Sequence, residues 1–347
     1  MAPFPFRLVP RFLLLLFCVG LAGAVAGSAA AGDGDLRYFR IGTGTSSGTY
    51  FMVGGLIAGA ISNPPGSRPC ESGGSCGVPG LIGVAQATSG GIENLELLRA
   101  GALEAALVQA NLASSAYRGT DIFRGKPPFA DLRAVATLYT ETVQIVVRAD
   151  GPIGRIADLR GRRISVGEKG SAFTVDAAMI LGGLGVGEKS YTPVYLRPGV
   201  SVDELVAGRI DALFVVGGAP FSAIADAAAR LPIRLLAIAP EEAKPLRARQ
   251  PFLTDATIAA EVYPGVPETT TVGVGAQLVV REGLDADLVA GVTRALWHPG
   301  TRRALEQRFA KGGLTPLAAA RDAASPPLHP GAARAYESLG ETPPPGR

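Results

Sequence analysis

The chain has 347 residues, with 33 Lys and Arg against 30 Asp and Glu, a formal net charge of +3. Hydrophobic residues make up 47%, charged residues 18% and aromatics 6%, while 46 Gly and 27 Pro are spread along the whole length. The Gly and Pro content lies below that of low-complexity or collagen-like chains, and the length suits one large or two ordinary domains, each with its own core. Near-balanced charge argues against a nucleic-acid binder, which needs a basic stripe; three Cys and two His argue against a multi-ligand zinc site.

Arg7 and Arg11 flank the start of an apolar run over 12–19, and small residues follow to Ala31. A basic start, a short apolar core and A-x-A-like ends (Ala24-Val25-Ala26, Ala29-Ala30-Ala31) predict a secretory leader over 1–31. A membrane anchor is the alternative, but the run thins into Gly and Ala before it could span ~30 Å of hydrocarbon. Bulky Phe17 before Cys18 argues against a lipoprotein. Cleavage removes Arg7 and Arg11 from the 33 basic residues and no acid from the 30, leaving about +1. An exported chain is expected. It keeps Cys70 and Cys76, an even pair in an oxidising compartment, which reads as a disulfide bracing an inserted loop over 64–80. Two free thiols are the alternative; a metal site is disfavoured because no His is nearby.

Beyond the leader, strand-like runs over 38–43, 81–87, 102–109, 143–147, 163–166, 192–196, 212–216, 233–238 and 272–280 alternate with helical stripes over 51–61, 171–184, 202–207 and 286–297. That alternation predicts an α/β fold. Two patterns recur: Arg40-Ile41-x-x-Gly44 matches Arg163-Ile164-x-x-Gly167, offset 123, and Gly101-x-Leu103-Glu104-Ala105 matches Gly208-x-Ile210-Asp211-Ala212, offset 107. The offsets differ by 16, close to the 17 residues of the Cys-bearing insertion. Two lobes of similar topology follow: 32–139 plus 270–347, and 140–269. The extended stretch 132–147 would cross between them near Tyr139 and Glu141, and 269–273 would return. A cleft between lobes joined by two strands suits a small ligand.

Gly42-Thr43-Gly44-Thr45-Ser46-Ser47-Gly48-Thr49-Tyr50 lies after a strand and before a helix. Unpaired N–H groups and the macrodipole at a helix start favour an anion, and small residues let it approach the backbone; a plain turn and N-cap is the alternative. Ser89-Gly90-Gly91 and Gly170-Ser171-Ala172-Phe173-Thr174 repeat the arrangement. Gln109, with Asn111 beyond it, and the backbone of Gly217 and Gly218 end strands, where open α/β sheets bind ligands. Tyr50, Tyr139 and Glu141 are hinge or cleft candidates; Glu141 would accept from a ligand ammonium or pair with an Arg.

Gly44-x-Ser46-x-Gly48 also fits a hydrolase nucleophile elbow, which needs a histidine base. Only His298 and His329 exist; His298 ends a helix, His329 opens one, and neither has an acid close in sequence. No dinucleotide or P-loop fingerprint is present, and Glu241-Glu242 reads as a complement to a helix dipole.

In this order the motifs resemble the TAXI family of periplasmic solute-binding proteins, which serve TRAP-type secondary transporters. The matching stretches begin at Ile41-Gly-Thr-Gly-Thr-Ser-Ser-Gly-Thr-Tyr-Phe51, Ala87-Thr-Ser-Gly-Gly-Ile-Glu-Asn94, Ala110-Asn-Leu112, Ala157-Asp-Leu-Arg-Gly-Arg-Arg-Ile-Ser-Val-Gly167, Asp211-Ala-Leu-Phe214 and Pro327-Leu-His-Pro-Gly-Ala-Ala-Arg-Ala-Tyr336, and cover about 38–340. The resemblance implies a type II periplasmic-binding-protein fold, two α/β lobes closing on a ligand. It implies a TRAP-class membrane permease as partner, an ion gradient as driving force, and a small carboxylate such as glutamate or 2-oxoglutarate as ligand. Carried over, Thr45, Ser46, Ser47, Thr49, Tyr50, Ser89, Gln109, Tyr139, Ser171 and Thr174 would contact ligand, and His329 would be structural. The chain departs from the family's Gly-Ser-Gly-Thr at bulkier Ser171-Ala172-Phe173-Thr174. The expectation is a monomeric binding protein, with no enzyme activity, cofactor, metal or nucleic-acid partner. The binding component of an ABC-type importer, a secreted serine hydrolase using Ser46 and a sensor or antigen without transport are the alternatives.

Overall fold

A computed structural model of the chain describes residues 36–46, 48–308, 314–322 and 326–340. The leader expected over 1–31 and Ser47 lie outside them. The strands are β1 (Arg37–Gly42), β2 (Ser62–Asn63), β3 (Val78–Pro79), β4 (Leu81–Gln86), β5 (Ala105–Gln109), β6 (Leu132–Arg148), β7 (Arg163–Ser165), β8 (Thr192–Val194), β9 (Ala212–Gly217), β10 (Ile233–Leu235), β11 (Thr254–Ile258) and β12 (Thr269–Arg281). The helices are α1 (Thr49–Ile61), α2 (Gly91–Arg99), α3 (Ala110–Arg118), α4 (Ala172–Gly183), α5 (Pro198–Val206), α6 (Ser222–Arg230), α7 (Pro240–Arg249), α8 (Ala286–Trp297), α9 (Pro299–Glu306), α10 (Leu317–Asp322) and α11 (Pro330–Gly340). No helix among the described residues is long and apolar enough to cross a membrane.

The expected α/β class holds. Ten strands form one mixed sheet, ordered β4-β1-β5-β12-β6-β9-β7-β8, with β10 beside β6 and β11 beside β12. In its first half β1 runs parallel to β4 and β5, and β12 returns antiparallel to β5. In its second half β7 runs parallel to β8 and β9, and β6 returns antiparallel to β9. Thus β6 and β12 pass through both halves, paired with each other along most of their length. Residues 269–273 of β12 pair with β11, and pairing with β5 begins only at Ala276. The return crossing therefore comes at about Gly275, later than the 269–273 expected.

Alternation puts successive side chains on opposite faces. Ala105 and Leu107 of β5 enter one cluster with Phe39, Ile41 and Trp297, while Ala106 and Val108 enter another with Leu95 and Leu112. In β9, Ala212, Phe214 and Val216 pack with α4, and Leu213 and Val215 pack with α5 and α6. Both faces of each half are covered, which is why these strands read as continuous apolar runs. Burying each large aliphatic side chain contributes roughly 1.5–3 kcal/mol. α1 lies close on β1 because Val53, Ile57 and Ile61 share one face. Gly54 keeps the approach tight: a Cβ there would overlap Thr43 Cγ2.

The two recurring patterns are joined in space. In the first half, the Arg40 backbone N–H and Nε donate to Glu104 Oε2 at 2.7 and 2.9 Å, and Glu104 N–H returns to Arg40 O at 3.1 Å. In the second, Arg163 N–H and Nε donate to Asp211 Oδ2 at 2.8 and 3.0 Å, and Asp211 N–H returns to Arg163 O at 2.8 Å. Each clasp ties a half's first strand to the residue before its third.

Candidate functional site

The cleft opens where strands end. From the first half it takes Gly44, Thr45, Gly48, Thr49 and Tyr50 after β1, Ser89–Gly91 before α2, and Gln109 at the end of β5. From the second it takes Glu168 and Ser171–Phe173 after β7, Pro198 at the start of α5, and Val216, Gly217 and Phe221. Glu141, at the crossing of β6, forms the floor, and the cavity is about 60 Å³. The two halves also touch here: Thr49 Oγ1 donates to Gly218 O at 3.5 Å.

α1 and α4 point into this space from opposite halves. Their N-cap residues, Gly48 and Ser171, make no side-chain cap, and neither first turn carries an acid. The first N–H groups of such helices lack internal partners and attract negative charge. α2 differs. Ser89 N–H donates to the Glu93 carboxylate at 2.7 Å, the Ser89 hydroxyl donates to it as well, and Gly90 N–H donates to Thr88 Oγ1 at 3.1 Å. These bonds hold Glu93 below the usual carboxylate range. The third helix start likewise has no side-chain cap, but unlike the other two it carries an acid, Glu93, in its first turn. Gly90 adopts φ +113° there, a conformation natural only to glycine. No Arg, Lys or His is among the described residues lining the cleft.

The floor is built differently. Gln109, Glu141 and Asp176 are each only 2% exposed, and Gln109 Nε2 donates to Glu141 Oε2 at 3.0 Å and to Asp176 Oδ2 at 2.9 Å. One amide thus bridges β5, β6 and α4. Burial, with no cation to offset it, pushes Glu141 up to about 8 and Asp176 up to about 7. Burial and the nearby Glu141 carboxyl raise Tyr50 and Tyr139 well above the ordinary phenol value. Gln109 Oε1, Asn111 Oδ1 and the Tyr50 hydroxyl are buried without completing a hydrogen bond. Such groups cost roughly 1–3 kcal/mol each when left unpaired. Two of them, on Tyr50 and Gln109, belong to residues that line the cavity.

Of the residues singled out from sequence, Thr45, Thr49, Tyr50, Ser89, Gln109, Glu141, Ser171 and Gly217 come together around one cavity. Glu141 meets Gln109 and pairs with no Arg. Ser46 is exposed and outside the lining. Thr174 turns away, its hydroxyl donating to Val166 O and Glu168 O at 3.2 and 2.8 Å. Tyr139 is fully buried in the first-half core, and Gly218 contributes a carbonyl to Thr49 in place of a lining group. Sequence reasoning missed Asp176, Glu168 and Phe221. For Asp176 there was a signal: it is the only charge in α4, Ala172–Gly183.

Neither histidine supports the hydrolase alternative. His329 Nδ1 accepts from Gly331 N–H at 3.1 Å, and Nε2 lies 3.1 Å from Glu282 O and from Leu284 O, tying α11 to the sheet. His298 Nδ1 accepts from Gly300 N–H at 3.2 Å and caps α9. Cys70 and Cys76 form a disulfide. The expectation of no nearby histidine fails, because His298 Nε2 comes within 3.9 Å of Cys70 Sγ.

A mixed-sheet α/β molecule with a cleft at strand ends, lined by helix starts from both halves of the sheet, offers room for a small ligand. The chain belongs to the NMT1-like family, whose model matches residues 41–340. It is similar to the periplasmic aliphatic sulphonate binding protein SsuA of Escherichia coli, at 15% identity over 86% of this chain and 78% of that one, TM-score 0.43. It is likewise similar to a TctC solute binding protein from Polaromonas, at 16% identity over 88% and 99%, TM-score 0.46. An ancestral arginine-binding protein matches at 14% identity over 79% and 99%, TM-score 0.46.

Proposed function

We propose that this chain is the periplasmic solute-binding subunit of a TRAP transporter of the TAXI type. It captures a small organic carboxylate between its two halves by hinge movement at β6 and β12 and delivers it to a membrane permease. The observation that carries the reading is the convergence of the α1 and α4 starts, neither capped by a side chain, on one cleft. Thr45, Thr49 and Ser171 would sit at the carboxylate. Closure follows if contacts from both halves favour the closed state over the open one. Of the two ligand types expected, the floor favours the glutamate-like one. Gln109 Oε1 is a buried acceptor at the cavity without a hydrogen bond, and an ammonium group supplies donors that a keto acid lacks.

A thermal-shift screen of the chain without residues 1–31, against amino acids, dicarboxylates and keto acids, tests this. A true ligand at 100-fold over its Kd adds about 2.7 kcal/mol. Its amide or ester analogue should lose most of that gain, because the helix starts then face no charge. No response to any carboxylate, or an equal response to the neutral analogue, would refute the reading.

A further inference from the structure

Away from the cleft, at the other end of α1, a second open cavity of about 340 Å³ lies between that helix, the 64–80 insertion and α9. Its wall includes Cys76, His298 and Gly59. Cys70, Cys76 and His298 bring three ligand-type atoms within 4.8 Å of one another. Their chemistry is set by the α9 cap. His298 Nδ1 accepts from Gly300 N–H, which leaves the ring proton on Nε2, the nitrogen 3.9 Å from Cys70 Sγ. A metal on Nε2 would require that proton to move and the cap to break. A donor aimed at one sulphur of a disulfide does something else: it stabilises that sulphur as a thiolate. The other sulphur belongs to the residue that faces the cavity.

We propose that Cys70–Cys76 is an exchange-active disulfide, with Cys76 the attacked sulphur, Cys70 the leaving thiolate and His298 the positioning residue that holds it. The co-reactant is a dithiol. One of its thiolates enters the cavity and bonds to Cys76 Sγ; the Cys70–Cys76 bond breaks, and its electron pair leaves on Cys70 Sγ, which accepts from His298 Nε2–H. The second thiolate of the dithiol then attacks its own sulphur in the mixed disulfide. This closes the dithiol into a disulfide and releases Cys76 as a thiolate that takes a proton from water. The chain gains two electrons and the dithiol loses two. The redox state would then govern how the insertion, anchored by the Ser75 hydroxyl on Ser62 O, braces the end of α1.

The test equilibrates the full chain in oxidised and reduced dithiothreitol, alkylates the free thiols and reads the reduced fraction by mass. His298→Asn keeps a side-chain oxygen able to cap α9 but is too short to reach Cys70. Its reduction equilibrium constant should fall about tenfold, which is about 30 mV for a two-electron couple, with unchanged far-ultraviolet circular dichroism. With glutathione, a monothiol, the trapped mixed disulfide should map to Cys76. An unchanged equilibrium constant in His298→Asn, or an adduct on Cys70, would overturn the proposal.

Discussion

The two halves of the sheet start from the same local design and diverge where they meet the cleft. Both clasp an Arg at the first strand to an acid before the third, Arg40 to Glu104 and Arg163 to Asp211. Both also pin the end of the first strand to the second helix. In the first half Asn94 of α2 donates to Thr43 O at 2.6 Å and to Leu107 O at 2.8 Å; in the second, the Ser201 hydroxyl of α5 meets the Ser165 hydroxyl at 2.6 Å. The third strands then differ. β5 ends in Gln109, whereas β9 ends in Val216 and Gly217. The first half thus supplies the polar floor. The second supplies an apolar wall of Phe173, Val216 and Phe221, with one buried acid, Asp176, reaching back to Gln109. A shared scaffold fixes the helix starts that point at a ligand; the residues beyond the repeat decide what the cleft distinguishes.

The largest effect expected from breaking that asymmetry concerns the floor. Glu141 and Asp176 bind their protons more tightly folded than unfolded, at about 8 and about 7 against ordinary values of 4.5 and 3.8. Between those limits the unfolded chain holds fewer protons than the folded one, so unfolding free energy falls as pH rises. The contribution is complete below about pH 4 and is lost through about pH 8. Each tenfold change in proton affinity is worth about 1.4 kcal/mol, so Tm in the absence of ligand should drop by several degrees over this window. A Glu141→Gln, Asp176→Asn double variant removes both titrations and should flatten the difference. If the wild type and the variant follow parallel pH curves, the floor is hydrated and its carboxyls ionise normally.

Second in size is the contrast between the two pins. Asn94 is fully buried, and its loss removes its amide's bonds to two backbone carbonyls and the Oδ1 acceptor of Thr88, whose hydroxyl keeps only its bond to Thr43 O. Asn94→Ala should cost about 2–3 kcal/mol in urea unfolding, and Ser201→Ala, which leaves one buried hydroxyl short, about 1 kcal/mol. Equal costs would mean that the first half gains nothing from its more elaborate pin.

Much of this was legible in the sequence because it depends on local periodicity. The long extended stretch through Tyr139 and Glu141 forms one strand running through both halves, as an extended run polar only in its middle suggested. The repeat offsets matched Arg40 with Arg163 and Glu104 with Asp211, and those residues do form equivalent clasps. Eight of the chosen cleft residues line one cavity because loops at strand ends face the same side of the sheet. The rest needed distance. β11 reads as Thr-Asp-Ala-Thr-Ile, an exposed edge with only Ile258 buried, so no apolar run announces it. Asp176 acquires its role only through Gln109, 67 residues earlier. His298 meets Cys70 across 228 residues, and no spacing rule reaches that far. Ser46 and Thr174 stand outside the lining for a simpler reason: in a tight loop, adjacent side chains cannot all face one cavity, and Thr174 has nearer partners in the Val166 and Glu168 carbonyls.

The smallest effect should come from the clasps themselves, although they are the clearest mark of the repeat. Arg40 and Arg163 side chains are 42% and 44% exposed, so solvent screens both pairs and holding the long side chains costs entropy; exposed ion pairs contribute about 0.2–1 kcal/mol. Each also involves a backbone N–H, Arg40 to Glu104 and Arg163 to Asp211, which a carboxylate serves and an amide can still serve. Glu104→Gln and Asp211→Asn should therefore cost well under about 1 kcal/mol each, whereas Glu104→Ala and Asp211→Ala should cost about 1 kcal/mol more by leaving the strand N–H without its partner. Matching losses in the two halves, measured by urea unfolding at low and high salt, would establish the clasps as equivalent backbone ties. A loss confined to one half, or one that disappears in high salt, would mean that the charge pairing and not the shared backbone bond carries the effect.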